Sequence, residues 1–457
     1  MERVEERAAG PEEAGRILEK SERTFRRYVR RVEERGDGGL LDKRMTQAPV
    51  RRAPLEENLN ISWDGSTRFP SRIARAPVPC DNFSSLCFTP HHPRNGERMM
   101  SLQTYTTLGR SGLKVSPLTL GTMTFGTEWN TGADKSTSKA LFDQYLDAGG
   151  NFFDTADLYT NGTSESWLGE FVADRKARDR AVIATKFSFC AEPGNPNAGG
   201  NGRKNILRAV EGSLKRLRTD YIDLYQLHAW DTVTPVEEVM RTLDDLVRAG
   251  KIRHAGLSDI PAWYASRAQT LAEWRGWEPL CALQMEYSLV ERSIEREFTG
   301  LCRELGMGIM AWSPLGSGLL SGKYRRDASG QTATGDGRLE KMKNSGNPAF
   351  EKFTPRNWAI VAELEMVAKE LGRSMAQIAL NWVSGRPGVG TVIIGATKAG
   401  QLEDNLKALD FEIPIPLRDR LDAASAIDPG FPYMFYEPYL QKMIHGGVPV
   451  TKGLRTP

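Results

Sequence analysis

Eight short apolar, β-rich runs recur between Ser116 and Ala396, with amphipathic helical stretches between them. The runs are SPLTLG, NFFDTA, AVIATKF, YIDLYQLH, RHAGLS, CALQMEY, GMGIMAWS and GTVIIGA. The intervening helices include STSKALFDQYLDAG, PVEEVMRTLDDLVRAGK and RNWAIVAELEMVAKELG. A strand–helix alternation of this kind needs a parallel sheet covered by helices, and eight such units predict a (β/α)8 TIM barrel. Ahead of the first run, TYTTLGRSGLKVSP holds Gly109-Arg110-Ser111-Gly112 between two strand-like arms, a hairpin signal expected to cap the barrel bottom. A doubly wound sheet is the alternative, disfavoured because no GxGxxG opens a helix after the first run.

In such barrels the active site gathers at the C-terminal strand ends. The second run, inside NFFDTADLYTNGTSE, ends in Asp154 and leads to Tyr159; the third ends in Lys186 and the fourth in His228. A free phenol is a poor proton donor at neutral pH. A nearby ammonium favours the phenolate and is expected to lower the tyrosine pKa, while a carboxylate keeps the lysine charged and placed. A histidine on the adjacent strand can bond the substrate oxygen or relay its proton. The set suits protonation of an oxygen while another group reaches the carbon. It contains no obvious covalent nucleophile, and no HxH or HExxH pattern supplies a metal. Singly, each residue reads equally well as a packed side chain, a loop cap or an ion partner; the four together, in order, carry the chemistry.

From about Met100 to the C-terminus the chain resembles the aldo-keto reductases, most of all the aryl-alcohol dehydrogenase branch. The resemblance rests on FDTADLY, VIATKF, TDYIDLYQLH, GLSDIPAW, LQMEYSLVER, AWSPLGSGLLSGKY and IIGATKAGQLEDNL, which occur in order. It implies an NADP(H)-dependent oxidoreductase that interconverts aldehydes or ketones and alcohols by hydride transfer, with NAD(H) as the alternative cofactor. Tyr159 is then the general acid/base, Asp154 and Lys186 its tuners, and His228 the residue that orients the carbonyl. The resemblance also implies that Ser258, Asp259 and Gln284 hold the nicotinamide carboxamide and that Trp312 stacks on the ring. The loop Ser313, Pro314, Leu315, Ser317 and Gly318, with Lys323, would meet the pyrophosphate, and Gly395, Ala396, Thr397, Gln401, Asp404 and Asn405 the adenosine end.

Two positions depart from that pattern. Asp259 stands where many relatives carry Asn; it can accept from the carboxamide but cannot donate to it when ionised. Gln401 stands where many carry Arg against the 2′-phosphate, leaving Lys398, Lys323 or Arg325 as substitutes. The long segments SFCAEPGNPNAGGNGRKN and KYRRDASGQTATGDGRLEKMKNSGNPAF are expected to shape substrate choice, the second as a lid. Trp129 and Trp230 are candidates for an apolar pocket, with core packing as the alternative.

The chain has 457 residues, long enough for a barrel plus extra segments, and its net charge of +3 predicts no general attraction to nucleic acid or membrane. No run of about 18 apolar residues or signal-peptide h-region is present. The five cysteines are scattered and form no CxxC, as in a reduced cytoplasmic protein. Residues 1–44 read differently: Phe25, Tyr28, Val29 and Val32 line one helix face, and Arg23, Arg26, Arg27, Arg30 and Arg31 surround it. From Glu12 to about Glu57 the chain resembles the N-terminal DNA-binding helix-turn-helix segment of insertion-sequence transposases; a solvated basic helix is the alternative. A Pro/Ser/Arg-rich linker at 45–99 is expected to be disordered. The enzyme proper is expected to occupy 100–457, the preceding residues deriving from a neighbouring mobile element by fusion or a misplaced start. The expected partner is a small carbonyl or alcohol, with nucleic acid relevant only if residues 1–44 are expressed and functional. A nucleotide-binding redox sensor without turnover, and a DNA-binding protein carrying a reductase barrel, are the competing readings.

Overall fold

A two-stranded hairpin, Thr106–Thr107 (β1) and Lys114–Val115 (β2), precedes the barrel in the computed structural model, which describes residues 101–450 apart from 130, 327–332, 336 and 343–345. The helix-turn-helix-like segment expected at 1–44 and the linker expected at 45–99 lie outside the described residues. The hairpin turns through Gly109, whose φ of +58° suits a residue without a Cβ. A Cβ there would stand 2.5 Å from the Cys281 carbonyl oxygen and 2.6 Å from that of Gly306. The close approach lets the Arg110 N–H donate to Gly306 O at 2.7 Å, seating the hairpin on the start of a barrel strand.

The barrel strands are Leu118–Gly121 (β3), Phe152–Asp154 (β4), Val182–Phe187 (β5), Ile222–Leu227 (β6), Ile252–Ser258 (β7), Leu280–Glu286 (β8), Gly308–Trp312 (β9) and Val389–Ile394 (β12). Each falls within one of the eight apolar runs or overlaps it. They pair in parallel in the closed order β12-β3-β4-β5-β6-β7-β8-β9. A second small hairpin, Arg325–Arg326 (β10) with Ala333–Thr334 (β11), lies in the long segment after β9. The expected (β/α)8 barrel with a capping hairpin is therefore the fold.

Two cores result. Inside the barrel, Phe152, Ala184, Leu224, Ala282 and Met310 pack with Leu108 and Val115 of the hairpin, which plugs the lower opening. Outside it, the helices bury one stripe each. Val236–Arg248 (α4, counting Lys135–Asp147 as α1, Thr163–Asp174 as α2 and Arg203–Leu217 as α3) buries Val236, Val239, Met240, Leu243 and Leu246 at helical spacing. Asp134 caps α1 by accepting the Thr137 N–H at 2.7 Å. Gly150 admits β4 beneath the buried ring of Tyr145, since a Cβ there would lie 2.2 Å from Tyr145 Cζ. The Tyr145 hydroxyl in turn donates to Leu118 O at 2.7 Å, locking α1 to β3. Among the described residues no helix is long and apolar enough to cross a membrane. Cys281 and Cys302 are buried, whereas Cys190 is exposed.

Candidate active site

Parallel strands present their C-terminal ends to one rim, and the side chains there are set by register. Asp154 ends β4, and in the next pair Lys186 on β5 lies opposite Gln226 on β6, which places His228 just beyond. Lys186 is fully buried, and its ammonium donates to Asp154 Oδ2 at 2.6 Å, to Thr155 O at 2.8 Å and to the Tyr159 hydroxyl at 3.3 Å. Tyr159 starts a single distorted turn in which Thr160 and Asn161 adopt left-handed φ of 47° and 54°. Thr160 Oγ1 donates to Phe125 O at 2.7 Å and holds that turn in place. The His228 ring meets Tyr159 edge-on, centroids 5.7 Å apart, and Trp129 flanks the phenol at 6.2 Å. All four expected catalytic residues thus share one cup.

The electrostatics differ from the sequence expectation in one respect. Burial raises the Tyr159 phenol above its ordinary value, and the Lys186 ammonium offsets only part of that rise. The expected net lowering is therefore not found; desolvation, which a sequence does not display, outweighs the neighbouring cation. Burial alone would pull the Lys186 ammonium down, but Asp154, then Tyr159, holds it above its usual value. Burial, followed by Lys186, pushes the His228 imidazole well below its usual value. At neutral pH the cup therefore holds a charged lysine, a neutral imidazole and a protonated phenol.

The residues expected around the dinucleotide occupy the adjoining rim. Ser258 is buried and its hydroxyl has no partner among the described residues. Gln284, expected at the carboxamide, donates its Nε2 to Asp154 Oδ1 at 2.8 Å. Asp259, at a left-handed φ of 45°, accepts the Trp312 indole N–H at 3.1 Å. Its carboxyl is pushed up to about 6, by its enclosure first and with Glu286 adding, while Trp312 and Lys186 oppose. Ser313, Gly316, Ser317 and Gly318 all have positive φ, and this tight turning lets the Gly316 N–H donate to Ser313 O at 2.8 Å and the Gly318 N–H to Leu315 O at 3.0 Å. Ser313 Oγ fixes that loop by accepting the Ser317 N–H at 2.9 Å. The Lys323 ammonium lies against Gly318, where a Cβ would come within 2.8 Å of it. Pro314 and Leu315 complete the loop as packing residues, Leu315 against the main core.

Beyond β12, Gly395 is exposed and Ala396 buried, and the Thr397 N–H donates to Gln401 Oε1 at 2.9 Å. Asn405 Nδ2 reaches Gly395 O at 3.4 Å. Asp404 is drawn elsewhere: its carboxylate accepts from Ser374 Oγ and Gln377 Nε2, both at 2.7 Å, at the start of the helix Met375–Ser384.

The aldo/keto reductase family model matches residues 117–426, which takes in the whole barrel. The chain belongs to the aldo/keto reductase family. It is 39% identical over 321 residues to the uncharacterized oxidoreductase YrpG of Bacillus subtilis, covering 68% of this chain and 92% of the relative. It is 36% identical over 333 residues to the norsolorinic acid reductase stcV of Emericella nidulans, covering 71% and 82%. It is 33% identical over 338 residues to the aryl-alcohol dehydrogenase [NADP(+)] of Phanerodontia chrysosporium, covering 71% and 86%. The chain is an oxidoreductase by this membership.

Sequence reading missed two groups in this reductase. Arg338, on a short helix in the segment after β9, is half-buried, with its guanidinium 3.6 Å from Met123 Sδ and 5.2 Å from the Phe350 ring centroid. Burial pulls its pKa down, and the phenol of Tyr159 is the group that opposes this. Its distance in sequence from every barrel-strand end hid it. The second is Asp157, whose Oδ1 is enclosed without a partner among the described residues. Burial, then Glu165, pushes its carboxyl up to about 7, with Arg216 and Arg208 opposing. The folded protein thus retains a proton on Asp157 that the unfolded chain releases near pH 4. Stability from this group is present below that value and is lost as pH rises through about 7. Asp157→Asn is accordingly expected to raise Tm at pH 8.5, by the equivalent of roughly 4 kcal/mol, and to raise it far less at pH 4.5, by about 1 kcal/mol. Thermal unfolding at the two pH values measures this.

Proposed function

We propose that this protein is an NADP(H)-dependent carbonyl reductase or alcohol dehydrogenase acting on aromatic aldehydes, ketones or the corresponding alcohols. The observation that carries the reading is the contact of the Lys186 ammonium with both Asp154 and the Tyr159 hydroxyl. Dispersed strand-end residues converge there on one phenol.

The residues present fit a nicotinamide dinucleotide. The buried, unpartnered Ser258 hydroxyl offers a donor and acceptor to an amide. The tight Ser313–Gly318 loop, with the Lys323 ammonium against Gly318, suits the close approach and charge of a pyrophosphate. Trp312 presents an aromatic face at the rim, its indole N–H held by Asp259. Gly395, Thr397, Gln401 and Asn405 would meet the adenosine end, with Asp404 shaping that site through Ser374 and Gln377. When bound, the reduced nicotinamide supplies a hydride to the carbonyl carbon.

The chain's own residues do the rest. His228, neutral, hydrogen-bonds the carbonyl oxygen and directs it at Tyr159. The Tyr159 hydroxyl gives its proton to that oxygen as negative charge develops there. The Lys186 ammonium stabilises the phenolate left behind, and Asp154, clamped by Lys186 and Gln284, keeps the lysine charged. Trp129 excludes water from one side. In the oxidising direction each proton transfer reverses.

Arg338 would hold a phosphate of the dinucleotide, since a half-buried guanidinium gains most from an anion. Arg338→Met is expected to weaken NADPH binding by roughly 10–100-fold, the loss of a charge-assisted hydrogen bond. Fluorescence titration of the dinucleotide measures it.

The reading is tested by mixing the native protein with benzaldehyde and related aromatic carbonyls, each with NADPH and with NADH. Carbonyl-dependent consumption of NADPH in preference to NADH is expected. Dinucleotide binding with no consumption across the panel would instead favour the redox-sensor reading.

A further inference from the structure

Asp259 follows the last residue of β7, between β6, which leads to His228, and β8, which carries Gln284. Its backbone is tied to both sides: the Asp259 N–H donates to Gln284 O at 3.3 Å, and Asp259 O accepts the Trp230 N–H at 3.4 Å. Its carboxylate accepts the Trp312 indole N–H at 3.1 Å. The residue stays exposed at the rim, so a ligand can reach the carboxylate. Its charge acts on the Tyr159 phenol, and the Lys186 ammonium acts on it, which places the carboxylate in the field of the cup.

Most other charges around the cup are balanced within the protein. Lys186 and Asp154 pair at 2.6 Å, and Glu286, which also acts on Asp259, pairs with Lys352 at 2.9 Å. His228 is held neutral by burial and then by Lys186, and burial keeps the Tyr159 phenol protonated. The Arg338 guanidinium acts on Tyr159 from the segment after β9, and the reading above commits it to a phosphate. Asp259 has a neutral partner in Trp312 and forms no ion pair among the described residues. Desolvation pushes its carboxyl up to about 6, and solvent access at the rim argues against a larger rise. At pH 7.5 it is therefore ionised, an anion without a counter-charge.

Reaction chemistry fixes how close a nicotinamide ring would come. A carbonyl oxygen that takes the Tyr159 proton lies about 3 Å from the phenol oxygen, and a hydride donor stands about 3–3.5 Å from the carbonyl carbon. The ring then lies within roughly 8 Å of the phenol, the group that the Asp259 charge already reaches. The reduced ring is neutral. Once a hydrogen with two electrons has passed to the carbonyl carbon, and the oxygen has taken the Tyr159 proton, the ring is a cation. A carboxylate beside it attracts the cation and gains little from the neutral ring.

We propose that Asp259 selects the redox state of the cofactor: its carboxylate biases binding toward NADP+ over NADPH. The inference rests on the dinucleotide reading above and deepens it. On the bound cofactor, reduction of carbonyl to alcohol is favoured by the same factor, and NADP+ is slow to leave.

Asp259→Asn removes the charge alone, because Asn keeps an oxygen to accept the Trp312 N–H and is readily accommodated at a φ of +45°. Calorimetric titration at pH 7.5 gives the Kd of NADP+ and of NADPH for the native protein and the variant. The ratio Kd(NADPH)/Kd(NADP+) should fall about 3–20-fold in the variant, part of the worth of a unit charge pair where solvent has access. Contacts to the phosphates and the adenosine are common to both forms and cancel from the ratio, as does any loss of folded protein. A fall of less than about threefold, or a rise, overturns the proposal. The measurement needs binding and no turnover, so it decides the inference even where no carbonyl is reduced, the outcome by which the reductase reading alone fails. Binding of neither form by the native protein overturns both.

Discussion

Tyr159→Phe is expected to lower kcat/KM for carbonyl reduction by about 10²–10⁴-fold, the usual contribution of a positioned general acid. The substitution removes one hydroxyl and leaves the ring that Trp129 and His228 contact edge-on. Folding and dinucleotide affinity should therefore stay near native, and the loss should fall on kcat. His228 is held neutral by burial and by Lys186, so it lacks the extra proton an imidazolium would provide. Steady-state rates with the dinucleotide Kd measured in parallel separate lost chemistry from lost binding.

Lys186→Met is the second large effect, and it acts on stability as well as rate. Lys186 is 0% exposed and Asp154 2%, so removing the ammonium leaves a buried carboxylate without its counter-charge. Breaking a buried pair in this way costs about 3–5 kcal/mol, and Tm should fall by on the order of 5–10 °C. Activity should fall at least as far as in Tyr159→Phe, because a phenolate at Tyr159 would lose its direct contact with the Lys186 ammonium. The double variant Asp154→Leu with Lys186→Met should recover much of the lost Tm, since a well-packed apolar pair removes the uncompensated charge. It should recover no activity. Recovery of both would mean that the pair serves the fold alone. Calorimetry and steady-state kinetics on the three variants provide the comparison.

Much of the fold was legible because parallel barrel strands are buried on both faces and read as apolar runs punctuated by helices. The quartet was legible for a related reason: Asp154, Lys186 and His228 are polar residues where those runs stop, and only the rim of the barrel tolerates them. What escaped was set by three-dimensional neighbourhood. Gln284 lies 130 positions from Asp154, and nothing local to either shows that their side chains would meet. Arg338 comes from a segment with no strand periodicity. Asp157 sits between two recognised residues, yet its raised pKa comes from burial and from Glu165 on the following helix. The balance at Tyr159 was misjudged for the same reason, because a sequence displays the lysine but not the depth of the cup. Trp230 was visible as an aromatic near a strand end, and its packing against Trp263 depends on two loops folding side by side.

The most direct measurement is a single turnover of protein-bound NADPH with benzaldehyde, followed in the native protein and in Tyr159→Phe loaded to equal occupancy. Rapid oxidation in the native protein and a rate at least about 100-fold slower in the variant is the predicted result. Equal rates in the two proteins would contradict the assignment of the phenol as proton donor, and with it the reading of the whole cup.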